Sequence, residues 1–240
     1  MNQKPTYARI LYKISGEALM GKREFGLDPD MVSRVVEDIT EARELGVSIA
    51  LVVGGGNLFR GVSLAAQGAD RVTGDHMGML AIIMNALALR MEFDKRGIAA
   101  TVLSGLSVPQ VCEPFSQRAL IKARDAGDVI IFAGGTGNPY FTSDTAAALR
   151  AAEFGAEAIF KGTQVDGIYS ADPKKDINAK RYDQLTHADV LEQQLGIMDA
   201  AAVSLARENS IDVVVFSIHE KGELARVLRG QGTFSKVTSN

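Results

Sequence analysis

Tryptophan is absent, cysteine occurs once and histidine three times in these 240 residues. A lone cysteine, Cys112, excludes an intramolecular disulfide framework and a cysteine metal cluster, and it suits a reducing compartment. It reads as a small buried hydrophobe. His76, His187 and His219 are scattered without metal-ligand spacing, so none is assigned a role. No apolar run approaches the ~18 residues of a membrane span; the best, Leu80 to Leu89, is short and contains Asn85. The opening residues Met1 to Pro5 lack the apolar core of a signal peptide. A positive excess is also missing: 26 basic residues face 29 acidic ones, for a net charge of −3 and a pI near 5.7. No global field therefore recruits nucleic acid or acidic lipid. The expectation is a cytoplasmic protein with neither a nucleic-acid nor a membrane partner.

What is present is an ordinary globular composition, 46% apolar and 23% charged, long enough for one large α/β domain. Strand-like runs alternate with helix-like periodic segments, the pattern of a parallel sheet covered by helices. The expected strands are Arg9–Ile14, Val47–Val53, Ile98–Leu103, Asp128–Phe132, Ala156–Lys161 and Asp212–Ser217. The first helix has legible ends: Asp28 caps it, Pro29 sits in its first turn and Gly46 follows it. Later helices are expected at Arg71–Arg96, Ser116–Ala126, Thr145–Phe154, His187–Gln194, Ala200–Asn209 and Lys221–Arg229. The stretch from Asp166 to Leu185 reads as a long loop, and loops of that length are often functional lids.

Three glycine-rich turns each follow an expected strand: Lys13-Ile14-Ser15-Gly16, Gly54-Gly55-Gly56-Asn57 and Gly134-Gly135-Thr136-Gly137-Asn138-Pro139. In a parallel sheet they share the carboxyl edge, where ligands bind. Glycine lets backbone N–H groups approach an oxyanion, and a following helix adds its positive end. The Rossmann pattern fails, because Phe59 stands where its third glycine belongs. Gly16-Glu17-Ala18-Leu19-Met20-Gly21-Lys22 matches a P-loop in spacing. Arg23 then replaces the magnesium-binding Ser/Thr, Glu17 would put a carboxylate in the phosphate cradle, and Gly26 and Pro29 interrupt the helix. The match is read as accidental. Lys13 and Lys161 end strands, while Asp144 and Asp199 stand where helix caps would. Neither a Ser-His-Asp triad nor a paired-carboxylate hydrolase site is evident. These residues alone point to a phosphate-binding α/β protein, with kinase chemistry favoured.

Read together, several segments resemble the bacterial-type UMP kinases of the amino acid kinase family. They are Tyr12-Lys13-Ile14-Ser15-Gly16-Glu17-Ala18-Leu19, Val53-Gly54-Gly55-Gly56-Asn57-Leu58-Phe59-Arg60-Gly61 and Gly74-Asp75-His76-Met77-Gly78-Met79-Leu80-Ala81. Gly135-Thr136-Gly137-Asn138-Pro139-Tyr140-Phe141-Thr142-Ser143-Asp144 and Val165-Asp166-Gly167-Ile168-Tyr169-Ser170-Ala171-Asp172-Pro173 complete the set. The resemblance runs from about Tyr7 to Thr233. It implies a three-layer αβα sandwich around a mainly parallel sheet, one domain with a UMP-binding part (about 1–140) and an ATP-binding part (about 141–240). By the same resemblance, Lys13, Ile14, Ser15, Gly16, Gly56 and Arg60 would hold ATP phosphates, and Thr163, Tyr169 and Asp172 the adenosine. Gly55, Asp75 and the run Thr136, Gly137, Asn138, Pro139, Tyr140, Phe141, Thr142 and Ser143 would hold UMP. Lys13, Asp144, Lys161 and Asp199 would be catalytic.

Mg2+ would arrive with ATP, without dedicated protein ligands. The family further implies a homohexamer, activation by GTP and inhibition by UTP, with Gly21, Lys22, Arg23, Glu24, Phe25 and Gly26 in an effector-associated loop. Two alternatives stay open at this point. One is a kinase of the same fold acting on an amino-acid carboxylate, and the other is a non-catalytic relative that binds nucleotide or oxyanion.

Overall fold

The central strands are near-continuous apolar runs, buried on both faces, so each puts one face against each of two helical layers. The computed structural model describes residues 4–59, 70–173 and 175–239. Their order is β1 (Arg9–Ile14), a 3-10 turn (Gly16–Leu19), α1 (Pro29–Arg43), β2 (Ser48–Val53), α2 (Arg71–Lys95), β3 (Ala100–Ser104) and β4 (Glu113–Pro114). Then come α3 (Gln117–Asp125), β5 (Val129–Ala133), α4 (Ser143–Phe154), β6 (Ala158–Thr163), β7 (Ile168–Tyr169), β8 (Arg181–Tyr182) and β9 (Gln184–Thr186). The chain closes with α5 (His187–Glu192), α6 (Ala200–Glu208), β10 (Asp212–Ser217), α7 (Glu223–Leu228) and β11 (Phe234–Thr238).

Nine of these strands form one sheet in the order β4-β3-β5-β2-β1-β6-β10-β11-β9. All pairings are parallel except β10 with β11. The expected αβα sandwich is what forms. Ile10, Tyr12 and Ile14 of β1 and Phe160 of β6 face α1, α2 and α7 in one core. Leu11 and Ile159 point the other way, into a core shared with α3, α4 and α6. The strand period of two then puts Lys13 and Lys161 on the face that α4 covers. Phe160 anchors the first core, edge-on to both Tyr7 and Phe216.

Chain direction across the sheet reverses at β1: β2 lies on one side, β6 on the other. Such a switch point leaves a crevice at the carboxyl ends of the strands. Here Lys13 and Lys161 are direct register partners. The glycine turns after β1, β2 and β5 all open on this edge, as expected. Two of the glycines are required by close approach. A Cβ on Gly16 would come within 2.6 Å of the Gly54 carbonyl oxygen, and one on Gly55 within 2.8 Å of the Gly78 carbonyl in α2.

The P-loop reading stays excluded: the chain after Gly16 makes one short 3-10 turn, and no helix starts until Pro29. The first helix has the cap foreseen, with Asp28 accepting from the Asp30 amide and Pro29 at its start. Cys112 is buried in the first core. Three expectations need correction. The stretch 166–185 is not all loop, because Ile168–Tyr169 pairs with Arg181–Tyr182 as an antiparallel ribbon. The helix expected from Thr145 begins at Ser143, since the Thr142 hydroxyl accepts from the Asp144 and Thr145 amides. Helix α2, 25 residues, is long and apolar enough on length and composition to cross a membrane. It nonetheless packs as a core helix, burying Ile82, Ile83, Ala86, Leu89 and Phe93.

Asn85, in the middle of α2, is fully buried and makes two amide hydrogen bonds with buried Asn57, at 2.7 and 3.0 Å. Its Nδ2 also donates to the Gly54 carbonyl at 2.7 Å, and Asn57 Nδ2 donates to the Gly26 carbonyl at 3.0 Å. This pair ties α2, the Gly54–Asn57 turn and the 21–26 loop together inside the protein. Asn85→Leu would strand those partners, so it should lower stability by about 1–3 kcal/mol, read from urea denaturation midpoints. A loss under about 0.5 kcal/mol would mean that water or rearrangement satisfies them.

Candidate active site

Lys13 Nζ lies 2.7 Å from one Asp144 oxygen and Lys161 Nζ 2.8 Å from the other. The two lysines come from neighbouring strands and the carboxylate from the first turn of α4, whose positive end favours a negative charge. Lys161 also donates to the Ile197 carbonyl. Burial alone would raise the Asp144 pKa, but the charges of Lys13 and Lys161 outweigh it and hold the carboxyl below its ordinary range. Lys161 is pushed down, first by burial and then by repulsion from Lys13, with Asp144 and Asp199 opposing. The cluster thus carries two cations to one anion at the mouth of the crevice.

Asp199 sits close by but bonds elsewhere. Its carboxylate accepts from the hydroxyls of Thr142 and Thr145, the latter at 2.9 Å to both oxygens, and from the Ala202 amide at 2.9 Å. It caps α6 and joins the start of α6 to the start of α4.

Two cavities flank the cluster. The larger, 660 Å³, is lined by Gly55, Asp75, Thr136, Asn138, Phe141, Thr142 and Ser143, all expected at the UMP site, together with Gly56 and Gly135. Gly137, Pro139 and Tyr140 belong to the loop that shapes it, in which the Thr136 hydroxyl bonds the Asn138 amide and carbonyl, each at 3.1 Å. The second cavity, 480 Å³, is lined by Lys161, Thr163, Tyr169 and Asp172 together with Gly196 and Ile197. Thr163 Oγ1 donates to the Val165 carbonyl, and the Tyr169 hydroxyl donates to Asp166, each at 2.6 Å. Lys161 therefore reaches the edge of the second cavity while Ser143 and Thr142, beside Asp144, close the first.

Ser15 accepts from the Glu17 amide, and Gly16 packs on the Gly54 turn, so the loop after β1 lies directly against the turn after β2. Ile14 is fully buried, which leaves only its backbone to face a ligand. Gly56, expected on the ATP side, lines the larger cavity. Arg60 lies outside the described residues. In the 21–26 loop, Arg23 donates to the Leu27 carbonyl at 3.0 Å, and Phe25 is 66% exposed.

Arg71 lines the larger cavity and was not singled out from the sequence. Its Nε lies 2.9 Å from both oxygens of Asp75, whose Oδ2 also accepts from the Tyr140 amide at 2.7 Å. Its spacing of four from Asp75 was the available signal, although that spacing alone describes an ordinary helix ion pair. Glu17, Met79 and Ile82 also line this cavity without having been anticipated there.

The sequence pattern of the amino acid kinase family matches residues 8–217. A uridylate kinase of Rhizobium meliloti is 61% identical over 240 residues, covering both chains completely. A uridylate kinase of Agrobacterium fabrum is 62% identical over 232 residues, 97% of this chain and 96% of that one. Among solved structures, the UMP kinase of Ureaplasma parvum superposes with a TM-score of 0.92 at 35% identity, covering 96% of this chain and 98% of its own. The UMP kinase of Bacillus anthracis gives 0.93 at 33% identity, covering 98% and 97%. With the fold, the glycine edge and near-complete coverage in agreement, this chain belongs to the amino acid kinase family, among its uridylate kinases.

Proposed function

We propose that the enzyme transfers the γ-phosphoryl group of Mg-ATP to the phosphate of UMP, giving UDP and ADP, in the cytoplasm. One observation carries the reading at the level of the site: a Lys13–Asp144–Lys161 cluster stands between two cavities, each of a size to take a nucleotide. The larger cavity would hold UMP, with Asp75 accepting from ribose hydroxyls and Thr136, Asn138 and Thr142 serving base and phosphate. The smaller would hold adenosine against Thr163, Tyr169 and Asp172. The triphosphate would then cross the Lys13–Gly16 loop.

The acceptor is a phosphate oxygen, largely ionised near neutral pH because its second pKa is about 6, so no general base is required. Catalysis becomes alignment plus stabilisation of charge on the group in transit. Lys13 and Lys161 supply that charge, and Asp144 keeps both aimed at the crevice. Among the described residues no three His, Cys, Asp or Glu side chains gather as a metal cage. The oxygen donors near the crevice fit a magnesium ion brought in by the triphosphate, with Asp199 the carboxylate that would meet its water shell. When bound, the ion neutralises charge on the phosphate oxygens.

Regulation and assembly extend the proposal. GTP would activate and UTP inhibit, with the Gly21–Gly26 loop as the effector element; its tie to Asn57 supports a link to the site. A homohexamer is proposed because α2 leaves Met77, Leu80, Met84 and Met91 exposed along one side, each by 45–57%. In light scattering the wild type should run at about six chain masses, and Met84→Glu should shift it to smaller species. A monomeric wild type would remove the hexamer from the proposal.

The activity is tested by ADP release from Mg-ATP with UMP, CMP, dUMP, aspartate, acetylglutamate and buffer as acceptors. UMP should far exceed the rest; silence with UMP, or preference for an amino acid, overturns the assignment. Lys13→Ala should lower kcat by about 10²–10³ while the variant stays folded by circular dichroism. Unchanged turnover in the folded variant would refute the role. Lys161 must be protonated to act and its pKa in the ligand-free enzyme is depressed, so the alkaline limb of kcat/KM should fall below the ordinary lysine value. A flat profile through that range would exclude Lys161 as the titrating cation.

A further inference from the structure

We propose that Arg71 is a positioning residue for the acceptor nucleotide, holding Asp75 and, through it, Tyr140 in the receptive shape of the larger cavity. This deepens the UMP kinase reading and rests on it. Tyr140 has φ +73, a left-handed conformation that costs a non-glycine residue about 1–3 kcal/mol unless its surroundings hold it. What holds it is visible. Its amide donates to Asp75 Oδ2 at 2.7 Å, and its ring stacks near the Arg71 guanidinium, 5.5 Å from centre to carbon. Arg71 in turn lies 2.9 Å from both Asp75 oxygens.

An exposed i,i+4 pair would contribute only a few tenths of a kcal/mol to its helix. This pair differs in two respects. The Asp75 side chain is only 14% exposed, and its other partner lies 65 residues away on the loop that walls the cavity. Arg71, Asp75 and Tyr140 therefore latch α2 to the 134–142 loop. Arg71 also cancels a carboxylate charge that would otherwise face a dianionic nucleotide across the cavity wall. Neither effect touches the reacting atoms, which places the consequence on acceptor binding rather than on the chemical step.

Steady-state kinetics test this with Arg71→Met, Arg71→Lys, Tyr140→Gly and the Arg71→Met/Tyr140→Gly double variant, varying UMP and ATP separately. Arg71→Met should raise KM for UMP about ten-fold or more, with kcat and KM for ATP changing less than about three-fold. Arg71→Lys should recover part of the loss. Tyr140→Gly accepts the left-handed backbone without strain, so the double variant should show a smaller KM increase than the product of the singles. A KM for UMP within about two-fold of wild type in folded Arg71→Met overturns the proposal, as does strict multiplication of the single effects. If Arg71→Met melts out, Arg71→Lys carries the KM criterion and its double variant with Tyr140→Gly the coupling criterion. A wild type silent with UMP would instead overturn the activity itself, and this inference with it, before any variant is compared.

Discussion

Two ammonium groups held side by side by one carboxylate set the terms for the rest of the molecule. Lys13 and Lys161 are register partners on adjacent parallel strands, and strand spacing of roughly 4.8 Å would bring like charges together in a half-dry crevice. Asp144 makes that arrangement tolerable by pairing with both. It reaches them because α4 starts at Ser143, immediately after the 134–142 loop, and because Thr142 and Asp199 fix that start. The lysines, the α4 terminus, the α6 terminus and the 134–142 loop are consequently parts of one arrangement. Moving any of them changes the spacing of the charges.

The glycine turns surround this cluster for a related reason. Anions can be brought to buried lysines only where backbone makes room for them, and β5, β2, β1 and β6 are consecutive in the sheet. Their carboxyl ends therefore converge on one edge. The Asn57–Asn85 pair braces that edge from beneath, fixing the Gly54 turn against α2. Rigid support below and open backbone above is what preorganised recognition of phosphate requires.

Much of this was legible in the sequence, and for identifiable reasons. Strands β1 and β10 matched their expected limits because both are short apolar runs with polar flanks. Helix α1 carried its own cap and proline. The late strand β11 was missed because Phe-Ser-Lys-Val-Thr is neither apolar throughout nor alternating, so the turn at Gly230 and Gly232 before it framed no strand period. The β7–β8 ribbon has only two residues per strand, too few for any period. The Lys13–Lys161 pairing depends on strand order, which no local pattern encodes. The Asn57–Asn85 pair and the Tyr140 tie to Asp75 join residues 28 and 65 positions apart. The 61% identity with a relative over the whole chain carries the family, whereas the individual roles rest on geometry.

The close approach of two lysines at the crevice has a consequence for the life of the protein between turnovers. Burial and repulsion between Lys13 and Lys161, only partly offset by Asp144 and Asp199, disfavour the charged Lys161 in the ligand-free fold, and an incoming phosphate relieves that strain. Whatever binds the native state alone shifts the folding equilibrium by mass action, by about 2.7 kcal/mol at a hundred times its dissociation constant. Nucleotide in the cell is thus a stabilising solute for this enzyme as well as its substrate, and starvation for nucleotide would loosen the protein that makes more of it.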